Sequence, residues 1–152
     1  MINGQGFGEV AELKYGLFPM SFNGCEVIAV HNALEYLGIP QDIRTVRDFM
    51  KRYAVLFGLF GCNIYCLGGA LNHFGAEYTK SKSADNAEAF IISSWTGKPF
   101  LSTIHTVFCI RSDDKIKVYN RYNNFPSDKI YNSCADIFGG HKPLIIYRLR
   151  EK

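Results

Sequence analysis

The alternation of hydrophobic and polar positions divides the chain into a first half with helical spacing and a second half rich in β-forming runs. Apolar residues after position 23 lie on one broad face of a helix of about four turns, which Gly38 ends. Residues 42–53 repeat that spacing and predict a second helix. Asn63 is expected to cap a third helix, which runs through Phe74 and ends at Gly75.

The second half consists of short β-rich runs separated by turn residues. Residues 103–110 and 116–120 flank a polar turn and predict an antiparallel hairpin. Further strands are expected at residues 77–80, 90–92 and 143–149, and a short helix at residues 132–138. Helices followed by mostly antiparallel strands predict an α+β domain, with N-terminal helices packed on a C-terminal sheet.

Two segments fall outside this pattern. Residues 1–14 are Gly-rich and polar, which predicts a flexible lead-in to a single domain spanning residues 15–152. Residues 55–60 are apolar, but Gly58 interrupts the run and Gly61 bounds it, which predicts a loop. In the folded protein this loop would either line a cleft or cover the hydrophobic core.

The start of the first helix carries a cysteine. In Phe22-Asn23-Gly24-Cys25-Glu26-Val27, Asn23 is expected to cap the helix, with Glu26 as its capping-box partner. Gly24 would then be the first helical residue and Cys25 the second. A thiol in this first turn meets free N–H groups and the positive end of the helix dipole, which favour the thiolate. The alternative is that Cys25 is a small core residue at a tight turn.

The predicted hairpin carries a histidine and an asparagine at one end. His105 lies near the start of the first strand, and Asn120 closes the second strand. An imidazole there can accept a thiol proton, and an Asn side chain can hold its other nitrogen in the required tautomer. The chain order of Cys25, His105 and Asn120 is that of a papain-like thiol hydrolase. Taken alone, His105 could equally be a structural histidine at a strand end.

These motifs resemble a known family. Residues 23–34, 105–107 and 118–123 look like the corresponding stretches of small bacterial papain-like proteins, which are related to the peptidases that trim double-glycine leaders from bacteriocins. The resemblance runs from about residue 15 to the end of the chain. It implies a papain-like fold and a Cys–His–Asn catalytic site formed by Cys25, His105 and Asn120.

Two residues depart from the pattern that the resemblance implies. Papain-like peptidases place a glutamine a few residues before the nucleophile as an oxyanion donor, and none stands at residues 18–22. Gln5, looping back, and the side chain of Asn23 are the candidates for that role, beside the backbone N–H of Cys25. Glu26 is the second departure, because a carboxylate beside the nucleophile opposes formation of a thiolate.

Charge and cysteine content narrow the range of partners. The formal charge of +3 is small and its basic residues are scattered, so neither a nucleic acid nor a membrane is expected as partner. Five cysteines form an odd set without framework spacing, which predicts reduced thiols. Cys62 and Cys66 lack a second matched pair, and neither a metal nor another cofactor is expected.

The first thirty residues contain no apolar segment of the signal-peptide kind, which predicts a cytoplasmic protein, although a domain of a longer exported protein would look the same.

The sequence leaves three functions open. The first is a thiol hydrolase that cleaves peptide or amide bonds in a peptide or protein substrate, with Cys25 attacking, His105 shuttling the proton and Asn120 orienting the imidazole. The second is a catalytically silent papain-like module that binds a peptide in its cleft. The third is acyl transfer to an amine by the same residues.

Overall fold

The structure is a computed structural model, which describes residues 1–151. Its helices are α1 (Gly8–Glu12), α2 (Met20–Asn23), α3 (Cys25–Tyr36), α4 (Ile43–Met50), α5 (Leu67–His73) and α6 (Cys134–Ile137). Its strands are β1 (Lys14–Tyr15), β2 (Phe18–Pro19), β3 (Glu77–Ser81), β4 (Ala89–Trp95), β5 (Ile104–Ser112), β6 (Lys115–Tyr119), β7 (Lys129–Tyr131) and β8 (Ile145–Arg150). Short 3₁₀ turns cover Lys51–Tyr53, Leu56–Gly58 and Ile64–Cys66.

The centre of the fold is a six-stranded sheet in the order β3-β8-β4-β5-β6-β7. Every neighbouring pair is antiparallel, and β8, late in the sequence, lies between β3 and β4. The predicted hairpin forms as β5 and β6, but the pairing begins only at Phe108 and Tyr119. The start of β5 therefore extends past the end of β6, and this leaves a gap in the ladder at that end of the sheet.

The two faces of the sheet carry two hydrophobic cores, because successive side chains of a strand point to opposite faces. The larger core joins the buried face of α3 to α4, α5 and strand residues such as Ile91 and Phe108. The smaller core joins Val107 and its neighbours to Ile137 of α6 and to Phe138 directly after it. His105 has the parity of Val107, and its ring centroid lies 6.5 Å from that of Phe138.

Several predicted element limits are wrong in detail. Asn23 ends α2 instead of capping α3, and Gly24 is the residue before the helix, without a side-chain cap. Cys25 is consequently the first helical residue and not the second. Asn63 caps only a 3₁₀ turn through the N–H of Tyr65, since α5 begins at Leu67. Strand β7 was not foreseen, and β4 extends over Ala89–Trp95, beyond the run expected at residues 90–92.

The N-terminal segment packs on the domain. It contains α1, and the N–H and C=O of Ile2 bond to the side-chain amide of Asn32 at 2.7 and 3.0 Å. The flexibility expected of residues 1–14 stays a prediction. Within residues 1–151, no helix combines the length and the apolar character that a bilayer crossing demands. All five cysteines are free thiols.

Candidate active site

Cys25 stands at the N-terminus of α3, buried, with 7% of its surface exposed. Gly24 before it is in close contact with the preceding helix: a Cβ on Gly24 would lie 2.6 Å from the carbonyl oxygen of Met20. Only glycine fits at that point without a backbone shift. Gly24 thus allows α2 and α3 to follow each other with only one residue between them, and this places the Cys25 sulfur at the start of α3.

The sulfur of Cys25 has two polar neighbours. It donates to Oε2 of Glu26 at 3.0 Å, and the backbone N–H of Thr106 on β5 points to it from the gap beside β6. Burial raises the pKa of the Cys25 thiol well above its usual range, and the charge and hydrogen bond of Glu26 raise it further. The N–H of Thr106 lowers this pKa by a smaller amount. Burial and Glu26 thus favour the neutral thiol over the thiolate expected at a helix start.

Glu26 is itself enclosed, with 3% of its surface exposed. Burial raises the pKa of its carboxyl to about 7, against the lowering effect of hydrogen bonds from Cys25 and from the backbone N–H groups of Glu26 and Cys62. Gly61 lies against this carboxylate, since a Cβ there would stand 3.3 Å from Oε2. The capping-box role expected of Glu26 is wrong, because its side chain points to the sulfur and to the loop at Gly61.

His105 is held by the main chain of Asn120. Its Nε2 lies 2.7 Å from the Asn120 carbonyl oxygen, and the ring is 8% exposed. Burial lowers the pKa of His105 to about 4; the Asn120 carbonyl opposes that shift and the charge of Arg121 adds to it. Asn120 has a φ of 59°, in the left-handed region that Asn tolerates better than most residues. This backbone conformation aims the carbonyl at the imidazole.

The side chain of Asn120 bonds to Gln5 and not to His105. Its Oδ1 accepts the backbone N–H of Gln5, and its Nδ2 donates to Oε1 of Gln5, both at 3.0 Å. Gln5 is 1% exposed, and its Nε2 donates to the carbonyl of Ser21 at 3.2 Å. The glutamine thus loops back to Ser21, which lies four residues before Cys25, and links this segment to Asn120 after the histidine strand.

The side chain of Asn23 makes hydrogen bonds to two other segments and does not cap α3. Its Nδ2 donates to the carbonyl oxygens of Tyr15 and Gly58, both at 2.8 Å, which uses both of its amide hydrogens. Its Oδ1 is buried and has no partner within residues 1–151. Asn23 therefore joins the β1 region to the loop at residues 55–61, and in this arrangement it offers no donor to an oxyanion.

The segments that carry Cys25, His105, Asn120 and Gln5 meet at the gap between β5 and β6. The backbone N–H of Thr106 links the strand that carries His105 to Cys25. The Asn120 carbonyl links the His105 ring to the end of β6, and Gln5 links Asn120 to the segment before α3. No hydrogen bond joins the Cys25 sulfur to His105 in the described part of the chain. The contributions of Thr106 and Ser21 to this region could not be predicted from the sequence, because both residues contribute backbone groups and no sequence motif indicates these. Over residues 1–151, no three His, Cys, Asp or Glu side chains are grouped to hold a metal ion.

The loop at residues 55–61 borders this site and exposes apolar side chains. Phe57 is 75% exposed, Phe60 67% and Leu56 60%, so the loop does not serve to cover the core. The N–H of Leu17, itself 70% exposed, bonds to the carbonyl of Phe57 at 2.8 Å, which brings a second apolar segment alongside. We name the exposed residues Leu17, Leu56, Phe57 and Phe60 the apolar rim.

Comparisons by sequence find nothing similar: no family model matches the chain, and neither does a curated protein. Comparison of structures finds peptidase domains. The peptidase domain of Streptococcus ComA, a bifunctional ABC transporter involved in a quorum-sensing pathway, matches with a TM-score of 0.61 at 14% identity, over 84% of this chain and 91% of that one.

A second solved structure is a double-glycine-motif protease from an AMS/PCAT transporter in complex with its leader peptide. It matches with a TM-score of 0.56 at 14% identity, over 84% of each chain. The fold is that of a double-glycine peptidase domain. The predicted α+β, papain-like architecture is thereby confirmed, with helices on a mainly antiparallel sheet. At this identity the likeness concerns the fold, and the roles of single residues rest on the geometry above.

Proposed function

We propose that this protein is a thiol hydrolase that cleaves peptide or amide bonds, with Cys25 as nucleophile. The observation that carries the proposal is the convergence of three distant segments on one gap in the sheet. The sulfur at the start of α3 meets the strand that bears His105, and the imidazole is held by Asn120. The peptidase-domain fold of the structural neighbours supports the same chemistry.

In this mechanism Cys25 attacks the carbonyl carbon, and a proton travels through His105 to the leaving amine. Asn120 fixes the imidazole through its backbone carbonyl, which accepts from Nε2–H and so keeps Nδ1 as the proton acceptor. The oxyanion meets the backbone N–H of Cys25 at the helix start, and Gln5 supplies a second donor through the amide hydrogen that Ser21 does not use. Water then hydrolyses the thioester.

The proposed substrate is a peptide that presents apolar side chains. Contiguous exposed apolar residues mark binding surfaces. The apolar rim lies on the loops that contact Asn23 and Glu26, two residues of the segment that carries Cys25. A structural neighbour is a protease bound to a leader peptide, which fits a peptide as the ligand here.

A library of peptides with apolar residues on either side of the cleavage point tests the proposal by mass spectrometry. Wild-type protein should cleave members of the library, and Cys25→Ala should lose cleavage by several orders of magnitude. Cys66→Ala is the matched control, since this half-buried thiol lies outside the site. Equal cleavage by wild type and Cys25→Ala would refute the proposal.

One observation favours the alternative of a silent binding module. The Cys25 thiol is held protonated by burial and by Glu26, a state that suits structure better than attack. Peptide binding without cleavage, equal in wild type and Cys25→Ala, would establish that alternative. Addition of an acceptor peptide with a free amine to the same assay separates acyl transfer from hydrolysis, because an acyl transferase forms the new amide in preference to the free acid.

A further inference from the structure

Glu26 is the only side chain that hydrogen-bonds the Cys25 sulfur among the described residues. We propose that Glu26 is a catalytic base of this site and takes the proton of Cys25 when the sulfur attacks. This inference rests on the proposed function for its substrate, and it assigns the proton transfers from the thiol and to the leaving amine to Glu26 in place of His105.

The geometry around the carboxylate is built for such a contact. Glu26 Oε2 lies 3.0 Å from the sulfur, within reach of direct proton transfer. Gly61, at φ +66°, lies against the carboxylate, since a Cβ there would stand 3.3 Å from Oε2 and 3.4 Å from Oε1 of Glu26. The carboxylate also accepts the backbone N–H of Cys62. Gly61 and Cys62 thus form a wall that fixes the carboxylate against the thiol.

The titratable groups around Glu26 leave it as the proton acceptor. Cys25 on its own helix, Cys62 after the loop and Tyr15 on β1 all face it, and burial raises the pKa of each, so that all three are neutral at pH 7. Glu26 has a pKa of about 7, whereas His105 has a pKa of about 4. A base acts best when its pKa is near the working pH, which favours Glu26 over His105.

The step balances without a further reactant. The S–H proton moves to Oε2 of Glu26 while the sulfur bonds to the carbonyl carbon and the C=O π pair moves to oxygen. When that pair returns, the C–N bond breaks and the proton passes from Glu26 to the amine nitrogen. This leaves a Cys25 thioester, a free amine and Glu26 as carboxylate. Water then adds to the thioester, and Glu26 takes the water proton and passes it to the Cys25 sulfur as the C–S bond breaks, which releases the acid and restores the thiol.

Two measurements on Glu26→Gln test the proposal. The first is kcat/KM for a cleaved peptide against pH: in wild type it should rise through an apparent pKa of about 7, as Glu26 ionises. In Glu26→Gln the rising limb should vanish, with a loss of about a hundredfold at pH 8. The second is the rate at which iodoacetamide modifies Cys25, followed by mass spectrometry, which needs no turnover and should show the same inflection and the same loss.

Two further variants serve as controls. Glu26→Asp keeps a carboxylate and should retain the inflection at reduced rate, and Glu35→Gln removes an exposed carboxylate from the same helix and should match wild type. The proposal is overturned if Cys25 in Glu26→Gln is modified as fast as in wild type or faster, which would mean that Glu26 only suppresses the thiolate. It is also overturned if Glu26→Asp, folded by its thermal melt, loses the inflection.

These results are distinguishable from failure of the hydrolase itself. If wild type cleaves no peptide, the proposed function fails, while the alkylation profile still decides whether Glu26 accepts the thiol proton. If wild type cleaves and Glu26→Gln cleaves equally well, Glu26 has no catalytic role and the hydrolase stands.

Discussion

Glu26 and His105 should make opposite contributions to stability over the same pH range. The pKa of Glu26 is raised from 4.5 to about 7, so this group stabilises the fold below pH 4.5 and loses that contribution as the pH rises through 7. The pKa of His105 is lowered from 6.5 to about 4, so it stabilises the fold above pH 6.5 and loses that contribution as the pH falls through 4. Each change corresponds to about 3 kcal/mol.

Glu26→Gln should uncover the balance. In wild type the two contributions largely cancel, whereas the variant keeps only the dependence that comes from His105. The free energy of unfolding of wild type minus that of Glu26→Gln should therefore fall by about 3 kcal/mol between pH 4.5 and pH 7. Urea unfolding at fixed ionic strength, at half-unit steps of pH, measures this difference, and other titrating groups cancel in it. His105→Gln should give a difference of opposite slope.

Glu35→Gln is the control, because it removes a carboxylate that is exposed on the same helix. The difference between wild type and this variant should stay within about 0.5 kcal/mol over the whole range. A Glu26→Gln difference that is as flat as that of the control would refute the reasoning, since it would mean that Glu26 titrates alike in the folded and unfolded chains.

Other expectations are as follows. Gln5→Met keeps the side-chain volume but removes two buried hydrogen bonds, and it should lower the free energy of unfolding by about 2 kcal/mol in urea, with Gln41→Met as the control. Site-resolved alkylation of the folded protein should modify half-buried Cys66 before buried Cys25, and modification of Cys25 first would contradict the burial described here. Asn120→Gly fits the left-handed φ and keeps the backbone carbonyl that holds His105, so the pKa of His105 measured by NMR should change little. A His105 pKa that returns to its usual range in this variant would show that the Asn120 side chain holds the imidazole. Phe57→Asn should raise KM at unchanged thermal stability, because Phe57 is 75% exposed and Asn tolerates its positive φ.

Much of the fold and part of the candidate site could be predicted from the sequence, because these features depend on residues that are close together in the chain. The polar turn between two β-rich runs was enough to place His105 and Asn120 at one end of a hairpin. The helix-start residues placed Cys25 within one residue of its observed position, and the shift arose because residues just before Gly24 form a helix of their own. These features depend on near neighbours in the chain, which a single sequence displays.

The parts that the sequence did not reveal depend on distant segments. Glu26 points to the sulfur and to the loop at Gly61 and Cys62, and no local rule for capping contains that loop. The bond between Gln5 and Asn120 spans 115 residues of sequence. Strand β7 has only three residues at the edge of the sheet, too few to show a periodic pattern.

The position of β8 has a consequence for how this protein folds. Strands β5 and β6 can form a local hairpin early. Strands β3 and β4 can pair with β8 only after β8 is synthesised, and β8 begins more than fifty residues after β4 begins. Until β8 inserts between them, both present open edges that can recruit strands of other chains. The late closure of a long loop also slows folding. A chaperone that shields strand edges should therefore raise the yield of refolded protein, and a chain cut before Ile145 should aggregate rather than leave a smaller folded domain.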